Sequence, residues 1–178
     1  MPLTLLAILP SEEISEKVKD WKSFMLQEYG CKVALKSPAH ITLIPPFHVS
    51  KENTDQLKTF MQPFAEHFKT FSIALHHFST FPPRVIFVKV VENETLSQVK
   101  EDLEEELISA GFPIKTEQRA FHPHITIANR DLQKKDFKPA WEMFSSKTYH
   151  ADFVADAITI LQHDGVQWNI IFRAPFKS

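Results

Sequence analysis

Two stretches of this sequence place a histidine and a threonine two residues apart in an otherwise apolar run. They are His40-Ile41-Thr42-Leu43-Ile44 and His124-Ile125-Thr126-Ile127. In a strand, residues two apart point to the same face. His40, Thr42 and Ile44 then share one face, and Ile41 and Leu43 the other; His124 and Thr126 stand opposite Ile125 and Ile127 in the same way. One face of each strand reads as core and the other as a polar working surface. Two imidazoles, each with an ordinary pKa of about 6.5, can divide into one acid and one base near neutral pH. Two hydroxyls can donate to the oxygens of an anion. A single His-x-Thr on a strand is more often a half-buried polar pair. The repeat, 124 − 40 = 84 residues on in a chain of 178, is what points to a matched pair.

The elements that must hold these strands are legible from periodicity. Residues 4–9 are a short apolar strand. Ser11 with Glu12 and Glu13 opens a helix, Ile14, Val18, Trp21 and Met25 form its apolar stripe, and Gly30 ends it. A short strand is expected at 33–35, then the first motif strand at 40–44, stopped by Pro45-Pro46. Ser50 or Asn53 caps a second helix carrying Leu57, Phe60, Met61 and Phe64, with Pro63 near its end. Strands at 71–78 and 84–91 flank Pro82-Pro83. A helix over 94–110 carries Leu96, Val99, Leu103 and Leu107 and precedes the second motif strand at 123–128. A helix over 134–145 and two strands around Asp164-Gly165 complete the order. Hairpins and close strand spacing predict an antiparallel α+β fold over a doubly wound parallel sheet. The chain reads as one domain spanning 1–178, with one motif strand from each half.

Composition narrows the function. A net charge of −2 disfavours tight binding to long duplex nucleic acid, which needs many cations on the phosphates, but not to a small phosphorylated ligand. The three glycines, Gly30, Gly111 and Gly165, are all spent on helix ends or a turn. None is left for a Gly-rich phosphate loop. Cys31 is the single cysteine, so no internal disulfide forms, and a cytoplasmic setting is expected. The apolar segment 3–9 is too short to span a bilayer and is not flanked like a signal peptide.

The paired His-x-Thr motifs resemble those of the two-histidine phosphoesterase superfamily. Phe121, Pro123, His124, Thr126 and Arg130 of FHPHITIANR are similar to the second motif of its bacterial 2′–5′ RNA ligase-type members. HITLIPPF, residues 40–47, resembles the first motif of related bacterial proteins. The resemblance implies two pseudo-symmetric lobes, each a small antiparallel sheet with outer helices, the sheets facing a central groove. It implies hydrolysis of a 2′,3′-cyclic phosphate, on an RNA terminus or a small nucleotide, without metal or other cofactor. Some members also join or cut 2′–5′ linkages. A monomer with no membrane partner is expected.

Under that reading His40 protonates the leaving oxygen and His124 activates water, or the reverse, since the motif is symmetric. Thr42 and Thr126 hold the non-bridging oxygens. Arg130 adds positive charge, and Phe47 or Phe121 stacks on a base. Lys36 and Arg119, just before the motifs, are weaker candidates. Two rivals stand beside this. His122 and His124 have metal-ligand spacing and could join His40 in a three-histidine site. Alternatively, the groove binds a nucleotide without turning it over.

Overall fold

The computed structural model describes residues 1–178. Strand β1 (Leu3–Ile8) leads into helix α1 (Glu12–Tyr29). Ser11 Oγ accepts the Ile14 N–H at the start of α1, and Gly30 closes it at φ +71°. The strand expected at 33–35 is instead a 3₁₀ turn, Ala34–Lys36. The reason lies far along the chain. Asp131 Oδ2 accepts the N–H groups of Lys32 (2.7 Å) and Val33 (2.9 Å), so neither is free for a ladder.

The remaining elements are β2 (Ile41–His48), α2 (Lys51–Glu66), β3 (Phe71–Phe81), β4 (Val85–Val90) and α3 (Glu94–Ser109). Then come β5 (His124–Ala128), α4 (Lys134–Ser145), β6 (His150–Ala155), β7 (Ala157–His163) and β8 (Trp168–Pro175). Ser50, rather than Asn53, caps α2. Strand β6 has no counterpart in the sequence reading. Its only large buried side chain is Phe153, and it is defined by pairing along β3. No helix is long and apolar enough to cross a membrane.

The fold is α+β with an antiparallel, curled sheet of eight strands in the order β6-β3-β4-β5-β2-β1-β7-β8. Two four-stranded groups, β6-β3-β4-β5 and β2-β1-β7-β8, meet where β5 pairs with β2. That seam is a single residue pair, Ile41 with Ile125. The groups are not successive halves of the chain, because β7 and β8 return to pair beside β1. The helices interlace as well. Helix α1 connects β1 to β2 yet packs on β5, and α3 connects β4 to β5 yet packs on β2. Ile41, Leu43, Ile125 and Ile127 are all buried in the one large core beneath these helices.

Each motif strand carries the same irregularity. Thr42 faces Ala7 on β1, and the next pair is Ile44 with Leu6, which leaves Leu43 unmatched. Thr126 faces Phe87 on β4, and the next pair is Ala128 with Ile86, which leaves Ile127 unmatched. An extra residue of this kind switches the facing of the residues after it. Ile44, expected beside His40 and Thr42, is therefore turned into the core with Leu6. Nor do the prolines end β2. The strand continues to His48, and Pro45-Pro46 falls in a second irregularity between the Leu6–Ile44 and Thr4–Phe47 pairs. Proline has no N–H to give a ladder, so it is tolerated where pairing is already interrupted.

Candidate active site

The seam pair sets the geometry of the site. Counting outward from Ile41 opposite Ile125 in antiparallel register, His40 stands opposite Thr126 and Thr42 opposite His124. The four polar side chains form a rectangle on the face away from the helices, with the histidines on one diagonal and the threonines on the other. Neighbouring strands bring opposed side chains to about 5 Å, and two residues along a strand rise about 6.6 Å, so the diagonal is roughly 8 Å. That separation is between Cβ positions; rings reaching out from them into the groove leave room for a tetrahedral phosphorus between.

The imidazoles are held alike. His40 Nδ1–H donates to the Pro38 carbonyl at 2.7 Å, and His124 Nδ1–H donates to the His122 carbonyl at 2.7 Å. With the proton fixed on Nδ1, the neutral ring presents the Nε2 lone pair to the groove. Burial lowers the pKa of both rings. His40 falls to about 4, with the Lys22 ammonium and His124 adding to the effect and the Pro38 carbonyl opposing it. His124 is lowered too, by burial first, with its bond to the His122 carbonyl opposing. Both imidazoles are thereby held towards the neutral form, and an anion placed between them would draw a proton onto one.

The walls differ on the two sides. A cavity of about 290 Å³ at the His40 side is lined by Thr42, Thr126, Asn129, Arg130 and Trp168. One of about 320 Å³ at the His124 side is lined by Phe81, Lys100, Arg119 and Phe121. Thr42 borders both, so they are two ends of one groove. The His124 ring is flanked by Phe81, edge-on at 5.2 Å, and by Phe87 at 4.9 Å. Neither threonine hydroxyl has a hydrogen-bond partner within the protein, which leaves both free for a ligand.

The structure brings together His40, His124, Thr42, Thr126, Arg130 and Phe121 around this groove. It does not bring Phe47, which is buried in the core and touches neither cavity with a motif histidine. Phe47 follows the two prolines, and the irregularity there turns it inward. Phe81 and Trp168 were missed, since an isolated aromatic at a strand end carries no periodic signal. Asp131 was missed because its partners lie 98 and 99 residues away. Lys22 and Lys100 were legible in principle. Each lies four residues after a stripe residue, Val18 or Leu96, so each falls on the buried face of its helix.

The three-histidine metal set of His40, His122 and His124 does not converge. The set of three possible ligands in the molecule is His76, His77 and His150, with ligand atoms within 4.8 Å of one another on β3 and β6, beyond β4 from the groove. In that set His77 Nδ1 already accepts the Tyr149 N–H at 3.1 Å.

The profile of the 2′-5′ RNA ligase superfamily matches residues 10–167, nearly the whole chain and both motif strands. The chain belongs to the 2′-5′ RNA ligase superfamily. Among its relatives, a Geobacillus sp. (strain WCH70) protein that carries a phosphoesterase name is 26% identical over 159 residues, covering 88% of each chain. The RNA 2′,3′-cyclic phosphodiesterase of Bacillus subtilis (strain 168) is 30% identical over 111 residues, 60% of this chain and 59% of that one. Among solved structures, E. coli LigT complexed with 3′-AMP superposes with a TM-score of 0.69 at 19% identity over the full length of both chains. A Thermus thermophilus protein gives 0.73 at 17% identity, covering 98% of this chain and 97% of its own. At these identities the structural likeness speaks for the superfamily fold alone.

Proposed function

We propose that this protein hydrolyses a 2′,3′-cyclic phosphate, on an RNA end or a small nucleotide, using His40 and His124 as a metal-independent base and acid. The observation that carries the reading is the diagonal arrangement of two Nδ1-anchored imidazoles across a pair of unpartnered threonine hydroxyls. In-line displacement at phosphorus needs the entering and leaving oxygens on opposite sides, and the diagonal supplies a proton acceptor and a proton donor there. The threonines, on the other diagonal, suit the two non-bridging oxygens, where charge builds up in the transition state. The cyclic-phosphodiesterase name of the B. subtilis relative agrees with this substrate class, as does the 3′-AMP bound by E. coli LigT.

The steps follow from the side chains. Neutral His40 Nε2 takes a proton from water as the water oxygen bonds to phosphorus. The bond from phosphorus to one ribose oxygen breaks, and protonated His124 gives that oxygen its proton. The base role falls to His40 because burial and the Lys22 ammonium both oppose its protonation. This reverses the assignment drawn from sequence. Which ribose oxygen leaves depends on how the sugar lies in the groove.

The experiment is hydrolysis of the four nucleoside 2′,3′-cyclic phosphates by wild type, His40→Ala and His124→Ala, with and without EDTA, with the product isomer identified. Turnover that resists EDTA and falls by about 10²-fold or more in both variants is expected. Turnover abolished by EDTA would replace this reading with a metal-dependent one. Tight binding of nucleotides without turnover would make the groove a binding module.

A further inference from the structure

Behind the His40 loop lies a second cavity, of about 340 Å³, between α1 and residues 35–39. Lys19, Lys22 and Lys36 line it, and Glu16 is its one carboxylate. Ser37 and Trp168 line this cavity and the His40 end of the groove alike, so the two spaces share a wall. Lys22 is buried, and its Nζ donates to the Ser37 carbonyl at 2.9 Å. An ammonium has three N–H donors, and this bond uses one. The molecule's two ion pairs are Lys100 with Glu104 and Arg173 with Asp156, so none of the three lysines is neutralised by a carboxylate, Glu16 included. A buried ammonium without a counter-charge is costly unless something anionic joins it.

We propose that this lysine cavity is a subsite for a second phosphate of the substrate, carried on O5′ of the nucleoside whose cyclic phosphate sits between His40 and His124. The inference rests on the reading of the groove given above. It follows from the chemistry of the substrate as well as from the cavity. In a 2′,3′-cyclic nucleotide both lower ribose oxygens are in the ring, and O5′ is the remaining sugar oxygen that can bear phosphate. The side chain at the shared wall is Trp168, held edge-on by His163 at 5.2 Å, and it offers an apolar surface to the sugar or base spanning the two sites. The preferred substrate is then a phosphate-extended one, rather than a free nucleoside cyclic phosphate. The phosphate comes either from an internucleotide linkage at an RNA end or from a terminal 5′-phosphate.

The test compares kcat/KM for three substrates: a nucleoside 2′,3′-cyclic phosphate, the same compound with a 5′-phosphate, and a dinucleotide ending in the cyclic phosphate. Wild type and the Lys19→Gln/Lys36→Gln double variant are measured side by side. The expected result is a preference for phosphate-extended substrates of roughly tenfold or more in wild type, falling towards one in the double variant. Preference for the dinucleotide identifies an RNA end; equal or greater preference for the 5′-phosphorylated mononucleotide identifies a terminal phosphate. A ratio near one in wild type, or a ratio the lysine substitutions leave unchanged, overturns the subsite while the two-histidine reading stands. If no substrate is hydrolysed, the functional reading fails separately. Calorimetric binding of a dinucleotide and a mononucleotide, both ending in a 2′-phosphate, then decides the subsite by the same ratio and the same loss.

Discussion

The His40 and His124 sides of the groove share a backbone plan and differ in everything laid upon it. Each strand has its histidine anchored through Nδ1 to the carbonyl two residues back, its threonine on the next position of that face, and one unmatched residue after it. Each side also has a buried helix lysine, Lys22 of α1 behind the His40 loop and Lys100 of α3 at the His124 cavity. Lys22 bonds a backbone carbonyl and stays without a counter-charge, whereas Lys100 is paired with Glu104. His40 has lysines and Trp168 nearby; His124 has Phe81, Phe87 and Phe121. On the function proposed above, equivalent geometry makes two catalytic positions, and unequal surroundings would set their protonation apart. Two copies of one motif would then supply both an acid and a base.

Alanine in place of either histidine breaks the pair, and turnover should fall by about 10²–10⁴-fold in each case. The residual pH–rate profiles sharpen the contrast. His40→Ala should lose the fall at low pH that comes from protonating the base, and His124→Ala the fall at high pH that comes from deprotonating the acid. The opposite pattern would exchange the roles. In the wild type, kcat/KM should peak below pH 6.5, because both rings are lowered in the free groove.

Burial of the His40 ring should also cost the fold stability in acid. His40 titrates at about 4 in the folded protein and near its ordinary 6.5 when unfolded, so the unfolded chain takes up the proton first as pH falls. Its contribution is present above pH 6.5 and lost as pH drops towards 4, by about 3 kcal/mol at most. Urea unfolding at pH 7 and pH 4.5 should show a smaller acid loss in His40→Ala than in wild type. An equal loss would remove His40 as a source of acid sensitivity.

A somewhat smaller effect is expected at Asp131, which ties the end of the second motif to the turn leading into the first. Asp131→Ala leaves two backbone N–H groups without their acceptor and should cost about 2 kcal/mol in thermal or urea unfolding. Asp131→Asn keeps an acceptor oxygen and should recover much of it. Smallest is the loss of one hydroxyl. Thr42→Val and Thr126→Val should each lower kcat about tenfold with little change in KM, if each donor acts mainly on the transition state. A pronounced KM effect at one threonine alone would show that the two diagonals are not equivalent.

The working face was legible because strand periodicity and residue type point the same way. His-x-Thr set against Ile-x-Ile needs no knowledge of neighbours to be read. What the sequence withheld depends on partners. The unmatched Leu43 and Ile127 exist only through the registers of β1 and β4, so Ile44 could not be placed. Strand β6 is a strand because β3 lies beside it, and residues 33–35 are not one because Asp131 takes two of the N–H groups in that stretch. The single-pair seam is likewise a tertiary fact, although it sets the spacing of all four site residues.

The return of β7 and β8 to the side of β1 has a consequence for how the molecule comes into being. Thr4 pairs with Gln162, so an early strand must wait for a late one. During synthesis β1 and β2 emerge before β7 and β8, so their half of the sheet cannot be completed until those later strands have been made. Contacts this distant in sequence slow folding. The other group of strands, β6-β3-β4-β5, lies wholly before β7, and α1, which covers β5, is earlier still. A nascent chain should therefore acquire the His124 side before the His40 side, and catalytic competence should arrive only as β7 and β8 dock.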